Sequence, residues 1–270
     1  MNLKNKTIIF IGAGNMAEAL IRGLLANQIV APQQIIATDV RPDRLASLHQ
    51  TLSIRTDSDN ANAVRQADVI VLAVKPQQMS AVLATIKPQP TALIVSIAAG
   101  IPTHRIEKEL GGKPHVIRVM PNTPALVGAG AAALCRGQFA GPEDSQIAEM
   151  ILQAVGIVVP VDEKHLDAVT ALSGSGPAYI FLVAEAMIQA GIAEGLAPEV
   201  ARKLAIQTVF GAALLLRDSS EAPAELRQKV TSPGGTTEAA IRVMLEQKLP
   251  EIFWEAVTAA TKRSQQLAGQ

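Results

Sequence analysis

The stretch that decides the fold of the first half of this chain reads Thr7-Ile8-Ile9-Phe10-Ile11-Gly12-Ala13-Gly14-Asn15-Met16-Ala17. Its first five residues form an apolar run that predicts a buried β-strand, and the helical periodicity of residues 18–25 predicts a helix directly afterwards. The glycines between them follow the G-x-G-x-x-A form of the dinucleotide-binding fingerprint. Gly12 allows a tight turn, Gly14 allows a diphosphate to approach the backbone, and Ala17 allows the helix to pack closely on the strand. The stretch therefore predicts a Rossmann-like nucleotide-binding unit.

The same alternation of strand and helix continues as far as about residue 161. Continuous apolar runs predict buried strands at 35–38, 69–74, 92–97 and 115–119, and further edge strands at 129–134 and 157–161. Ligands of open α/β sheets bind outside the carboxyl ends of the strands, so the turns after parallel strands line the predicted site. Small residues in these turns (Ala73, Ala98 and Ala99) leave room for a cofactor. Lys75 is either a pocket residue or a surface lysine at the end of its strand.

The choice between NAD and NADP stays open at this stage. Asp39 ends the second predicted strand, about 20 residues after the fingerprint, where an acidic residue usually binds the adenosine ribose hydroxyls of NAD. Arg41 and Arg44 follow at once, and an arginine at this place can hold the 2′-phosphate of NADP. The alternative for both arginines is a solvated helix start.

Composition limits the classes of partner and the compartment. The chain has 270 residues with no net formal charge, 49% hydrophobic residues and 18% charged residues, which suits two folded domains. Neutrality argues against nucleic acid or an anionic membrane as the main partner. The lone cysteine, Cys135, excludes an intrachain disulfide and suits a reducing compartment. No signal-peptide pattern precedes Gly12, and the apolar run 178–184 is too short to span a bilayer, so we expect a cytoplasmic protein.

The second half of the chain is predicted to be helical. Periodic apolar residues predict helices at 163–172, 177–190, 198–216, 222–229, 236–246 and 250–267. The segment 173–177 reads SGSGP and is predicted to be a flexible hinge. Residues 178–184 have no polar face, and a helix that is apolar all round must be buried on every side. A second copy of the chain would supply that cover, which predicts an intertwined homodimer; a central helix within one chain is the alternative.

A second glycine motif, residues 230–237 (VTSPGGTT), interrupts this helical half. Pro233 cannot continue a helix, and the two glycines after it allow a tight turn. The threonines then open a helix whose free amides and positive dipole end favour an anion. We therefore predict a carboxylate site here rather than a plain helix–helix turn.

Metal and nucleophile chemistry have little support in the sequence. The four histidines (His49, His104, His115 and His165) show no paired ligand spacing. Cys135 has no histidine or acid nearby in sequence that would mark a nucleophile. We expect no metal, and we expect these residues to be packing or surface residues.

These motifs together resemble the pyrroline-5-carboxylate reductase family over essentially the whole length of the chain. The resemblance rests on the fingerprint at 12–17 and on the segments 73–76 (AVKP), 118–124 (RVMPNTP), 172–179 (LSGSGPAY) and 230–237. The last segment matches the signature of the family and is specific, whereas the fingerprint is shared by many dehydrogenases.

The resemblance implies an α/β fold with a Rossmann-like N-terminal domain (1–162) followed by an all-helical dimerisation and substrate domain (163–270). It implies a homodimer, in some members assembled into larger rings. It implies reduction of 1-pyrroline-5-carboxylate, a small cyclic imino acid, to L-proline with NADPH, or with NADH in some members. Asp39 departs from the pattern typical of NADP.

The resemblance also implies residue roles. It assigns cofactor contacts to Ala13, Asn15, Met16, Asn60, Ala73, Val74, Lys75, Pro76, Ile97, Ala98 and Ala99. The fingerprint and its spacing already assign Gly12, Gly14, Ala17, Asp39 and Arg41 to the cofactor. The residues expected to contact the substrate are Glu163, Val230, Gly235, Thr236 and Thr237. The hydroxyls of Thr237 and Ser175 are expected to be catalytic, as relays of a proton to the imine nitrogen.

Two other classes are weighed against this one. A 3-hydroxyacid dehydrogenase shares the general architecture but carries a catalytic lysine on the helix after its inter-domain glycine motif, and residues 177–190 contain no lysine. A nucleotide-sensing regulatory module would bind NADPH without consuming it in the presence of any imine.

Overall fold

The first part of the chain folds around one β-sheet. A computed structural model describes residues 3–89 and 91–268. The strands within these residues are β1 (Ile8–Ile11), β2 (Ile35–Thr38), β3 (Arg55–Asp57), β4 (Val69–Leu72), β5 (Leu93–Ser96), β6 (His115–Met120), β7 (Gly130–Arg136) and β8 (Gly156–Pro160). They lie in the order β3-β2-β1-β4-β5-β6-β7-β8. All neighbouring pairs are parallel except β6 and β7.

Helices cover both faces of this sheet. They are α1 (Asn15–Ala26), α2 (Pro42–Leu52), α3 (Asn60–Ala63), α4 (Met79–Thr85), α5 (Thr103–Leu110) and α6 (Pro142–Gln153). Side chains alternate along each strand, so Ile8 and Phe10 pack with α1, α2 and α6, while Ile9 and Ile11 pack with α3, α4 and α5. Because both faces are buried, every residue of β1, β2, β4 and β5 is buried. The predicted Rossmann-like fold is confirmed.

Two features of the sheet differ from the sequence prediction. β3 was not predicted, because Arg55-Thr56-Asp57 is a short, polar edge strand without an apolar run. β7 runs antiparallel to β6, and hydrophobic periodicity carries no information about strand direction. The turn after β7 therefore lies at the opposite edge of the sheet from the turns after β1, β4 and β5.

The chain divides into two compact units, and the division falls after Ser175. The first unit contains the sheet, α7 (Leu166–Val169) and the residues from Ala260 onward. The second unit contains α8 (Gly176–Ala193), α9 (Pro198–Asp218), α10 (Pro223–Lys229), α11 (Thr236–Glu246) and the beginning of α12 (Leu249–Ala268). The bounds of α8 to α12 confirm the five predicted helices from residue 177 onward to within a few residues. The predicted helix 163–172 is instead a 3₁₀ turn (Glu163–His165), α7 and a π-helical turn (Thr170–Gly174).

Residues 173–177, which are predicted to be a flexible hinge, include the point where the two compact units divide, and their flexibility stays a prediction. Residues Thr170–Gly174 form a π-helical turn that leads directly into α8, and the Ser175 amide donates to the Thr170 carbonyl at 2.8 Å. A Cβ on Gly174 would lie 2.5 Å from Cε of Met120. A side chain at this position would require the flexible end of Met120 to move.

The second unit exposes a large apolar surface. Phe181 and Leu182 on α8 are 68% and 65% exposed, and α8 has no buried residue within the single chain. Within the described residues, the helical stretch Glu163–Ala193 is long and apolar enough to cross a membrane by length and composition alone, a criterion that core helices of water-soluble proteins also meet. Such a surface needs a cover that the single chain does not supply.

Candidate active site

The turns that sequence motifs assign to a cofactor lie together at one edge of the sheet. β1, β2, β4 and β5 are parallel and in register, with Ile11 opposite both Thr38 and Leu72, and Leu72 opposite Ser96. The residues directly after these strands therefore share the carboxyl edge. They include the predicted cofactor residues Gly12, Ala13, Gly14, Asp39, Ala73, Val74, Lys75, Pro76, Ile97, Ala98 and Ala99.

The fingerprint turn has the shape that a dinucleotide diphosphate requires. Gly12 has a φ of +93°, and a Cβ there would lie 2.7 Å from the Ala73 carbonyl oxygen. No other residue type fits this position without moving the end of β4. A Cβ on Gly14 would meet nothing within 4 Å, so the backbone is open to a ligand in front of α1. Ala17 is buried against the sheet, and Asn15 and Met16 form the first turn of α1.

Asp39 closes the turn from the side of β2. Its Oδ2 accepts from the Ala13 amide at 3.0 Å, and its Oδ1 accepts from the Arg41 amide and from Arg41 Nε at 3.0 and 3.1 Å. Burial opposes ionisation of Asp39, but the bonds from Arg41 and Ala13 outweigh it and hold its pKa below the ordinary value. Arg41 itself is 57% exposed, and its contact with a 2′-phosphate stays a prediction. The positive charge of Arg41 compensates the carboxylate of Asp39, the residue that by itself would favour NAD over NADP.

Asn60 stands beside the same strand end. The Thr38 hydroxyl donates to Asn60 Oδ1 at 2.6 Å, which leaves the NH₂ group of Asn60 as a donor. No local sequence pattern marks this contact, because the two residues lie 22 positions apart on separate elements. Lys75 is exposed directly before a short 3₁₀ turn. Its position fits both a pocket residue and a surface lysine at the end of its strand.

A cavity of about 510 Å³ lies beside the ends of β4 and β5. Pro76, Ala99 and Ser175 are among its lining residues, so the fold brings the predicted catalytic serine next to two predicted cofactor residues. The wall formed by the last part of α12 was not predicted. Ser264 on that helix is buried, and its hydroxyl donates to Asp167 Oδ1 at 2.6 Å. No sequence signal marks this contact, since Ser264 and Asp167 lie 97 residues apart.

Glu163 is engaged by groups of its own chain. Its Oε1 accepts from the Thr103 amide at 2.8 Å and from Arg118 Nη1 at 3.1 Å, and its Oε2 accepts from the Thr103 hydroxyl at 2.8 Å. Burial opposes ionisation, but these bonds outweigh it, so the pKa of Glu163 lies below its ordinary value. The contacts tie the segment after β8 to β6 and to the start of α5. Contact with substrate stays a prediction.

The lone cysteine is poorly suited to nucleophilic chemistry. Cys135 is buried on β7, and burial, with the nearby charge of Glu163, raises its pKa to about 12. A thiol with such a pKa stays protonated at neutral pH. No cluster of three His, Cys, Asp or Glu side chains that could hold a metal ion occurs among the described residues.

The second glycine motif forms a defined turn in the second unit. Gly234 has a φ of +71°, and the Gly235 amide donates to the Ser232 carbonyl at 3.0 Å, as in a type II turn with Pro233 at its second position. The Gly234 amide donates to Glu238 Oε2 at 2.7 Å. The expectation that the Gly235 amide is open to a substrate is therefore not met. The amides of Thr236 and Thr237 open α11, and first-turn amides have no acceptor within their helix.

The fold and the carboxyl-edge site define a dinucleotide-dependent oxidoreductase. Two family models match the chain: residues 7–100 match one described as NADP oxidoreductase, coenzyme F420-dependent, and residues 163–267 match one described as pyrroline-5-carboxylate reductase dimerisation. A pyrroline-5-carboxylate reductase of Pseudomonas aeruginosa is 47% identical over 97% of both chains. One of Methanosarcina acetivorans is 44% identical over 98% of this chain and 99% of its own.

Solved structures agree with these relatives. A pyrroline-5-carboxylate reductase of Coxiella burnetii has a TM-score of 0.93 and 42% identity, covering 98% of this chain and 99% of its own. The Plasmodium falciparum pyrroline carboxylate reductase with NADP bound has a TM-score of 0.87 and 30% identity over the same shares. The chain belongs to the pyrroline-5-carboxylate reductase family.

Proposed function

We propose that this protein reduces 1-pyrroline-5-carboxylate to L-proline with NADPH, as the last step of proline biosynthesis. The observation that carries the proposal is full-length similarity to pyrroline-5-carboxylate reductases, together with the assembly of the cofactor residues at one sheet edge. The alternative, a 3-hydroxyacid dehydrogenase, would carry a catalytic lysine on the helix after its inter-domain glycine motif. The corresponding helix here, α8, contains no lysine.

The residues of the carboxyl edge hold the cofactor. The Gly12–Gly14 turn and the start of α1 receive the diphosphate, because amides and the positive dipole end of a helix favour an anion. Asp39, Arg41 and Asn60 receive the adenosine ribose and its 2′-phosphate, and the residues after β4 and β5 receive the nicotinamide half. The bound cofactor supplies a hydride to the carbon of the C=N bond.

The second glycine motif holds the substrate carboxylate. The Thr236 and Thr237 amides and the Thr237 hydroxyl donate to it, while Pro233 and Gly234 keep the turn that presents them. Val230 is 66% exposed at the start of the motif and offers an apolar contact to the ring. A carboxylate is thus bound without a cationic side chain.

The proton balance needs no strong protein acid. An imine enters the site already protonated, or takes one proton through the Ser175 and Thr237 hydroxyls, and the hydride then completes the secondary amine. Glu163 supports the site indirectly, through Thr103 and Arg118, and would favour the cationic form of the imine by its charge.

A dimer covers the apolar surface of α8. The segment 163–267 matches a dimerisation model, and the exposed side chains of α8 belong to it. We expect the protein to act in the cytoplasm, since its one cysteine is buried and unpaired. Assembly of dimers into a larger ring remains an additional expectation.

The direct test is oxidation of NADPH by the purified protein with pyrroline-5-carboxylate, followed by identification of L-proline as the product. The same assay runs beside it with NADH, and again without the imine. Consumption of NADPH that depends on the imine is expected. Binding of NADPH without imine-dependent consumption would instead identify a nucleotide-sensing module, and the proposal would be wrong.

A further inference from the structure

Arg44 lies on α2, three residues after Arg41. The guanidinium of Arg44 contacts the fingerprint turn at Ala13. Nε of Arg44 donates to the Ala13 carbonyl oxygen at 2.7 Å. Nη2 of Arg44 pairs with Oε2 of Glu18 on α1. Both side chains are about four-fifths buried, at 19% and 20% exposure, whereas Arg41 is 57% exposed. Arg44 is thus fixed between two helices and the turn.

The turn needs such support because it contains two glycines. Gly12 has a left-handed φ, nothing crowds a Cβ on Gly14, and glycine loses more backbone freedom on ordering than any other residue. The Ala13 backbone is held from both sides: Asp39 accepts from its amide and Arg44 donates to its carbonyl. These two bonds fix both peptide planes that meet at Ala13.

Peptide geometry gives this contact a direction. In a planar trans peptide, the carbonyl and the next amide point opposite ways. Because the Ala13 carbonyl points to Arg44, the Gly14 amide points away from Arg44. The side on which a Cβ of Gly14 would lie is open, with no atom within 4 Å. The arginine therefore orients the amide that the diphosphate is expected to meet.

The charge of Arg44 is already compensated. Glu18 Oε2 pairs with Arg44, and Glu18 Oε1 accepts from Nε of Arg22 at 2.7 Å. Burial opposes ionisation of Glu18, but the hydrogen bonds from Arg44 and Arg22 outweigh it and hold its pKa below the ordinary value. The pair adds no free cation at the adenosine end, and it neutralises a carboxylate that would otherwise repel a diphosphate at the start of α1.

We propose that Arg44 is a positioning residue, which orients the Gly14 amide toward the cofactor diphosphate through the Ala13 carbonyl, and that it is not a ligand of the 2′-phosphate. The inference rests on the proposed cofactor site. It separates the roles of two neighbouring arginines: Arg41 discriminates NADPH from NADH, while Arg44 serves both cofactors equally.

The test compares dissociation constants of NADPH and NADH for the full chain, by titration of nicotinamide fluorescence. Arg44→Ala is expected to weaken both by about tenfold, with their ratio unchanged, since the charge-assisted hydrogen bond that holds the Ala13 carbonyl is lost. The kcat at saturating cofactor should stay within about twofold. Adenosine 2′-monophosphate, which has the 2′-phosphate but no diphosphate, should compete as well as it does with the wild type.

Arg22→Ala is the matched control, because it removes the other arginine of Glu18 without touching the turn. Arg22→Ala should leave the dissociation constants of NADPH and NADH within about twofold of the wild-type values. Arg44→Lys is the conservative variant: one ammonium group cannot reach both Ala13 and Glu18 in the forked geometry, so an intermediate loss, equal for both cofactors, is expected. Thermal unfolding of each variant checks that the comparison is made on folded protein.

A loss confined to NADPH in Arg44→Ala or Arg44→Lys would make Arg44 a phosphate ligand and overturn the inference. Unchanged dissociation constants of NADPH and NADH in both variants would show that the turn keeps its shape without Arg44. That result would also overturn the inference. Failure of the wild type to bind either cofactor would instead reject the proposed cofactor site itself.

Discussion

Single residues at the carboxyl edge divide the work of binding a dinucleotide. Gly12 supplies a left-handed φ and Gly14 an open approach. Asp39 fixes the Ala13 amide while pairing with Arg41, so its carboxylate is both a structural acceptor and a compensated charge. An acidic residue at this place therefore does not by itself decide for NAD, because the neighbouring guanidinium changes what the cofactor meets.

Arg41 is expected to decide cofactor preference. Arg41→Ala removes the exposed cation beside Asp39 and leaves the carboxylate facing a 2′-phosphate. The dissociation constant of NADPH should rise by about 10- to 100-fold while that of NADH changes by less than about threefold, since a charged hydrogen bond is worth roughly 1.5–3 kcal/mol. Fluorescence titration of both cofactors measures the ratio. An unchanged ratio would remove Arg41 from the cofactor site.

At the scale of secondary-structure elements, one carboxylate joins three of them. Glu163 binds the start of α5 through Thr103 and β6 through Arg118, directly before α7. Cys135 lies beside this group on β7 and is kept protonated by its burial. The contacts hold the junction between the sheet and the helical segment that continues into α8.

This junction predicts a dependence of stability on pH. A carboxyl group whose pKa is lower in the folded than in the unfolded chain stabilises the folded state above its ordinary pKa, here 4.5, and the contribution is lost as pH falls through the folded pKa. Wild-type stability should therefore fall from about pH 5 downward more steeply than that of Glu163→Gln, which cannot titrate. Urea unfolding at several pH values measures the free energy of unfolding of both proteins. Parallel curves of this free energy against pH would show that ionised Glu163 does not stabilise the folded state.

The turn before α11 gives a second prediction on this scale. Thr237→Val keeps the shape of the side chain and removes its hydroxyl donor. We expect kcat/KM for pyrroline-5-carboxylate to fall by about 10- to 100-fold, because one hydrogen bond to a charged acceptor is lost, with the NADPH dissociation constant unchanged. Thr236→Val is the matched control, because it removes the neighbouring hydroxyl from the same turn. If the loss appears in NADPH binding instead, the turn belongs to the cofactor site; if nothing changes, it is a plain connection between helices.

On the scale of the whole molecule, the exposed apolar surface requires association. Residues 178–184 of α8 have no polar face, and Phe181 and Leu182 remain mostly exposed in the single chain. Soluble monomers rarely leave such a surface open. Residues 163–267, which include this surface, match a dimerisation model, and we expect a second copy of the chain to cover it.

The dimer is expected to be sensitive to charge on α8. Phe181→Glu places a carboxylate in a surface that the dimer buries, which costs several kcal/mol when the charge is unpaired. Light scattering at micromolar concentration should show the dimer for the wild type and a smaller species for the variant. Val127→Glu is the matched control, since Val127 is 81% exposed and lies outside the dimerisation segment. A wild-type monomer would contradict the dimer, and a mass of several dimers would support a ring.

The sequence alone determined the fold class, the position of the cofactor turn and the helix bounds, because each of these is written in local patterns: the glycine fingerprint, apolar runs and helical periodicity. Only the tertiary structure separated Arg41 from Arg44, turned β7 antiparallel, and placed Ser264 of α12 against Asp167. The same holds for Glu163 and Thr103, which lie 60 residues apart. Contacts between side chains so distant along the chain leave no periodic trace in it, since they depend on how whole elements pack, and packing is a property of the folded chain rather than of any one segment.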